Sequence, residues 1–143
     1  MGTINYSSNN DFLTLGYNLS HYDYENDYEL CEDCYEQANI LLRNVYSFHH
    51  LRVEVEGGYY EGFYISIQIN SSFFYDKSEL EEAMKECDKL EEFLIDCIND
   101  FNVVVCHPGW GTSYESKEES IKRVKEEIPK FKKWIEEETE VYN

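Results

Sequence analysis

"HLRVEVEGGYYEGFYISIQI", residues 50–69, is the stretch on which the reading of the fold turns. Leu51, Val53 and Val55 alternate with Arg52, Glu54 and Glu56. Beyond a glycine-marked turn, Phe63, Ile65, Ile67 and Ile69 alternate with Tyr64, Ser66 and Gln68. Successive side chains of a strand leave opposite faces, so this alternation describes a β-hairpin with one buried face.

Working outward, "TINY" (3–6) and "DFLTLGYNL" (11–19) read as two short strands joined by a polar "SSNN" turn. Residues 29–46 change to helical spacing, with Leu30, Cys34, Ala38, Leu41 and Val45 on the apolar side. After the hairpin a long helix is expected, opened by a capping box of Ser78 and Glu81, with Leu80, Met84, Cys87, Leu94, Cys97, Ile98 and Phe101 as its core stripe. "NVVVC" (102–106) is too short and β-branched for a helix and reads as a buried strand. A last helix begins at a second capping box, Ser116 with Glu119, and buries Ile121, Val124, Ile128, Phe131 and Ile135. Pro129 inside that pattern should kink it or start a new segment. Together these give one α+β domain over residues 1–143, an antiparallel sheet with a central β-hairpin packed by about three helices.

The chain of 143 residues carries 30 acids against 12 bases, a net charge of −18. Residues 1–76 contain 12 of those acids and only two bases, Arg43 and Arg52, whereas residues 77–143 mix both signs. Such a field repels nucleic acid and anionic membrane and attracts basic partners. Aromatic residues make up 16% of the chain, including 13 tyrosines, which argues against a disordered acidic tail. No apolar run is long enough to span a membrane, and the opening "MGTINYSSNN" lacks a signal-peptide pattern. It departs from the myristoylation pattern at Tyr6. Five cysteines at mostly apolar positions suit reduced thiols, and hence a cytoplasmic protein.

The densest charge lies in "HYDYENDYELCEDCYE", residues 21–36, with seven carboxylates and no base. Glu29, Glu32, Asp33 and Glu36 fall at i, i+3, i+4 and i+7, on one helix face. A row of carboxylates can imitate the potential of duplex DNA, which presents a charge about every 1.7 Å of axis. Tyr22, Tyr24, Tyr28 and Tyr35 interleave with these acids and offer interface anchors. The plainer reading is a solvated helix face. The C-terminal "EEETEVYN" reads as a frayed tail.

Other motifs point less far. Cys31 and Cys34 with Cys106 and His107 could form a zinc site of three cysteines and a histidine, although the C-x-x-C sits in helix-like sequence. A thioredoxin-like redox role would need that motif after a strand. "HPGWGTSY" (107–114) lacks the lysine and glycine spacing of a phosphate loop and reads as a rigid corner between strand and helix. Cys106 and His107, adjacent on a strand, do not make a nucleophile–base pair. No catalytic set or cofactor motif is present, and a non-enzymatic role is expected.

"MGTINY", "GGYYEGFYISI" (57–67), "LEEFLIDCI" (90–98) and "HPGWGTSY" together resemble a family of small acidic, uncharacterised proteins of phages and mobile elements of Gram-positive bacteria. The resemblance implies a setting in which such proteins inhibit host defence, as anti-CRISPR and anti-restriction proteins do. The leading expectation is a DNA mimic that occupies a basic site on a defence nuclease, a Cas9-type effector first. Asp23, Glu25, Asp27, Glu29, Glu32, Asp33 and Glu36 would supply the charge, with Tyr24 and Tyr28 as aromatic anchors. The alternatives are a zinc- or partner-binding regulatory module of a mobile element, an anti-restriction protein, or a protein that binds through its tyrosines while charge keeps it dispersed.

Overall fold

The computed structural model describes residues 4–5, 14–17, 36–58, 62–69, 73–101, 103–107 and 113–141. In chain order the elements are β1 (Ile4–Asn5), β2 (Thr14–Tyr17), α1 (36–44), β3 (Leu51–Gly58), β4 (Gly62–Ile69), β5 (Phe73–Phe74), α2 (Lys77–Phe101), β6 (Val103–His107), β7 (Ser113–Tyr114), α3 (Lys117–Glu138) and β8 (Glu140–Val141).

The expected single antiparallel sheet around a central hairpin is corrected. The strands form three separate ladders, ordered β1-β4-β3, β2-β6-β7 and β5-β8, and the last of these is parallel. Helical residues outnumber strand residues, and most of the buried apolar side chains lie on helices. The cause is strand length. β1, β2, β5, β7 and β8 have two to four residues each, too few to extend one sheet across the molecule. The eight-residue strands β3 and β4 pair antiparallel from Leu51↔Ile69 to Gly58↔Gly62, and Leu51, Val55 and Ile67 are buried. β1 and β2 do not pair with each other: Ile4 meets Ile69, whereas Leu15 meets Val105.

The core is organised by α2 and α3. From α2 it takes Ala83, Cys87, Leu90, Phe93, Leu94, Cys97 and Ile98, and from α3 Val124, Ile128, Phe131 and Ile135. The helix starts rest on side-chain caps. Ser116 sits in extended backbone, accepts the Glu119 N–H at 3.1 Å and donates its hydroxyl to the Glu119 carboxylate. At α2 the cap lies two residues before the expected Ser78. The Glu79 N–H donates to Asp76 Oδ1 at 3.0 Å, and the Glu79 carboxylate accepts the Tyr75 N–H at 2.7 Å. Aspartate caps at least as well as serine, so the earlier pair prevails.

Pro129 neither breaks nor divides α3, which runs unbroken from Lys117 to Glu138. The proline ring is exposed, so its missing N–H costs one bond while the buried stripe continues beneath it. Val45 is 63% exposed, contrary to its expected core position, because α1 ends at residue 44 and the next buried side chain is Tyr46. The C-terminal segment is not a loose tail. Thr139 donates both its N–H and its hydroxyl to the Ile135 carbonyl, and the chain then pairs as β8 with β5, Glu140 beside Phe73 and Val141 beside Phe74. That ladder ties the end of α3 to the start of α2, so the two helices run antiparallel.

At the other end of α3, β7 is too short to complete its ladder with β6. Glu115 continues it, donating its N–H to the Val105 carbonyl at 2.9 Å. The Val105 N–H is met by the hydroxyl of Ser120, fully buried on α3, at 2.9 Å. A helix side chain thus stands where a strand residue would. The loop expected between strand and helix contains this extra strand, with His107 paired to Ser113; residues 108–112 lie outside the described residues.

Replacing Ser120 by Ala leaves the buried Val105 N–H without an acceptor and is expected to cost about 1–3 kcal/mol in urea unfolding. Hydrogen exchange at Val105 should accelerate more than at Ile98, and equal protection at both would show that Ser120 does not hold the strand.

Candidate functional site

Of the residues expected to form an acidic face, only Glu36 lies among the described residues. It is exposed at the first described position of α1. Asp23, Tyr24, Glu25, Asp27, Tyr28, Glu29, Glu32 and Asp33 fall outside them, as do Cys31 and Cys34 of the metal alternative. Cys106 and His107 are the last two residues of β6, paired with Tyr114 and Ser113. Among the described residues no group of three or more His, Cys, Asp or Glu side chains could hold a metal ion.

The most constrained polar site lies where α1 passes into β3, and sequence reading missed it. Glu86 of α2 is 6% exposed, and its carboxylate receives three consecutive backbone amides: His49 N–H at 2.5 Å, His50 N–H at 2.9 Å and Leu51 N–H at 3.2 Å. A buried carboxylate is tolerated when hydrogen bonds replace its water, and donors to a charged acceptor contribute about 1.5–3 kcal/mol each. The signal was present in the sequence: Glu86 shares the helix face of Ala83, Cys87 and Leu90, a polar residue in an apolar stripe.

Around this elbow the packing is aromatic. His50 stacks edge-on against Phe74 at 5.8 Å and His49 at 4.9 Å, and its Nε2 lies 3.1 Å from Glu82. Tyr46 packs edge-on against Phe93 at 5.5 Å and donates its hydroxyl to Asp96. Burial first, then the hydrogen bond and charge of Asp96, hold the Tyr46 hydroxyl well above the usual tyrosine range. A groove of about 360 Å³ opens beside the elbow, lined by Leu42, Tyr46, Phe48 and Leu51–Glu54 of β3.

Elsewhere several bases of the described surface pair with acids of the same chain. Arg123 grips the half-buried Glu115 at 2.8 and 3.1 Å, an interaction that raises the guanidinium above its usual value. Lys132 crosses from α3 to Asp88 of α2 at 2.6 Å, Lys130 meets Glu127, and Arg52 meets Glu54. Lys122 and Lys133 face Glu126 and Glu137 at 4.0 Å along α3. Exposed carboxylates remain at Glu36, Glu81, Glu92, Asp100, Glu118, Glu136, Glu138 and Glu140. Exposed pairs of this kind add little stability, but they cancel the charge that would otherwise offset these acids at a distance.

The buried Cys87 thiol offers no nucleophile. Cys87 and Cys97 are fully buried and form no disulfide, and burial pushes the Cys87 thiol up to about 12, with Lys132 opposing and Asp88 and Glu86 adding. A thiol held protonated is inert. No helix among the described residues is long and apolar enough to cross a membrane. No protein-family model, curated protein or solved structure matches the chain.

Glu86→Ala strands three amides and should lower unfolding free energy by about 3 kcal/mol or more, whereas Glu86→Gln, which keeps an acceptor oxygen, should cost less. Urea titration of both variants checks this, and equal losses would deny the carboxylate its special role. At alkaline pH the sign follows from the raised Tyr46 value. Unfolded tyrosine ionises near pH 10 and the folded residue only higher, so stability is held below about pH 10 and falls above it. Tyr46→Phe should flatten that decline, read as thermal midpoints between about pH 9 and about pH 11.

Proposed function

We propose that the protein acts without catalysis, as an acidic inhibitor that occupies a basic nucleic-acid site on a bacterial defence nuclease. A Cas9-type effector is the leading target and the bacterial cytoplasm the setting. One observation carries the reading: the separation of charge along the chain. Residues 1–76 hold 12 acids and two bases, and one of those bases, Arg52, is engaged by Glu54. Five bases of α3, Lys122, Arg123, Lys130, Lys132 and Lys133, turn to acids of their own half. The N-terminal half is thus the part nearly without bases, and there residues 21–36 interleave carboxylates with tyrosines.

A target of suitable chemistry is a groove lined with arginine and lysine that otherwise receives phosphates, such as a guide channel or the arginine pair that reads the protospacer-adjacent motif. Carboxylates spaced along a helix face would meet those cations, and Tyr24 and Tyr28 would supply the desolvated anchors that make such contacts persist. Binding of this kind displaces condensed or screening ions, so it weakens with added salt.

The test is a competition gel shift with guide-loaded Cas9 and a labelled target duplex. The protein should remove the shifted band, with its inhibition constant rising about tenfold or more from about 50 to about 200 mM salt. Reversal of Glu29, Glu32, Asp33 and Glu36 to lysine should abolish inhibition while circular dichroism stays unchanged. Full inhibition by the reversed protein would end the mimic reading.

A further inference from the structure

Three consecutive amides converge on one carboxylate at the α1–β3 elbow. Successive N–H groups of an extended strand leave on opposite sides, so three that meet one acceptor need a bent backbone. The chain bends at His49 and His50, immediately before β3. Glu86 Oε1 accepts from His49 at 2.5 Å, from His50 at 2.9 Å and from Leu51 at 3.2 Å, while Oε2 accepts from His50 at 2.9 Å. Consecutive amides gathered in this way form a concavity that receives anions, whatever molecule the anion belongs to. Just upstream, Lys89 donates to the Ser47 carbonyl at 3.4 Å and brings a cation to the same turn.

We propose that the elbow is a carboxylate-binding site built by the backbone, which the chain fills with its own Glu86, and that it takes a free carboxylate when that side chain is removed. The fit to acetate is a matter of atoms. Glu86→Ala deletes Cγ, Cδ and the two carboxylate oxygens, and acetate consists of the same non-hydrogen atoms in the same order. Every donor is a main-chain group, so the substitution deletes none of them. Ala83, Cys87 and Leu90, which share the helix face of Glu86, are fully buried, so the core holds that face in place when the side chain is lost.

In the wild type the site is full, and acetate has nowhere to bind. The net charge of −18 opposes any incoming anion, so the affinity of the vacated site is expected to be weak, with a dissociation constant of about 50 mM. None of the three amides belongs to residues 21–36, and the readout is the stability of this chain alone. Failure here leaves the proposed inhibition of a nuclease untouched, and the reverse holds equally.

Unfolding of the Glu86→Ala chain in sodium acetate, against sodium chloride of equal ionic strength, tests the site. At about 200 mM, acetate should raise the folded-to-unfolded ratio about fivefold over chloride. Wild type and Glu86→Gln, whose sites are filled, should show no such difference. Acetamide, of similar shape but uncharged, should do less than acetate, because donors bind a charged acceptor more strongly. In proton–nitrogen correlation spectra of the Ala variant, the amides of His49, His50 and Leu51 should shift together and saturate with acetate. If the variant does not fold in chloride, acetate should return its helical circular dichroism. Equal behaviour in acetate and chloride would overturn the proposal, as would an equal rise in wild type, acetamide acting as well as acetate, or a stabilisation that leaves those three amides unmoved.

Discussion

A carboxylate buried on the core side of α2 is the constraint around which the described structure is arranged. Glu86 cannot leave water without replacements for the hydrogen bonds it gives up. Its replacements are three consecutive amides of the α1–β3 connection, so that connection has one place to be. Once Leu51 is fixed there, the alternation of β3 decides that Val55 faces the core and Arg52 the solvent. The same anchor sets Tyr46 against Phe93 and holds the groove open beside the strand. A polar requirement thereby determines the register of an apolar face.

The two long helices are joined to the short strands by the same logic. Ser120 supplies an acceptor for Val105, and Thr139 closes α3 before the chain pairs with β5. Hydrophobic burial between α2 and α3 is non-directional and would tolerate sliding of one helix along the other. Hydrogen bonds at the two ends of α3 remove that freedom. The cross-helix pair of Lys132 with Asp88 is exposed enough that it adds orientation rather than much stability.

Some of this was legible in the residues. The Ser116–Glu119 box and the stripe Val124, Ile128, Phe131 and Ile135 are local patterns, and α3 follows them. The single sheet was not legible, because which short strand meets which depends on contacts far apart in the chain. Val45 fits helical spacing yet lies one residue beyond the end of α1. Ser78 fits a capping box, but Asp76 competes for the same role two residues earlier. Pro129 looked like a break because the cost of its missing N–H is local, whereas the packing of Ile128 and Phe131 that outweighs it is set by the rest of the core. For the site, Glu36 alone of the acidic row is described, and the elbow built on Glu86 became visible only once the partner amides were placed.

The pairing pattern also has a consequence for the order of assembly. β1 finds its partner at residues 68–69, β2 at residues 103–106 and β5 at residues 140–141, so each of these short strands closes a loop of more than sixty residues. Loop closure of that length is an entropic cost met before any contact rewards it, whereas the β3–β4 turn and the two long helices need only near neighbours. On a ribosome β2 emerges early and must wait while nearly ninety residues are added before its partner exists. At about 5–20 residues per second that is an interval of several seconds. The segment richest in carboxylates lies directly after β2, so like-charge repulsion keeps the waiting strand from collapsing onto other acidic chain before its place is ready.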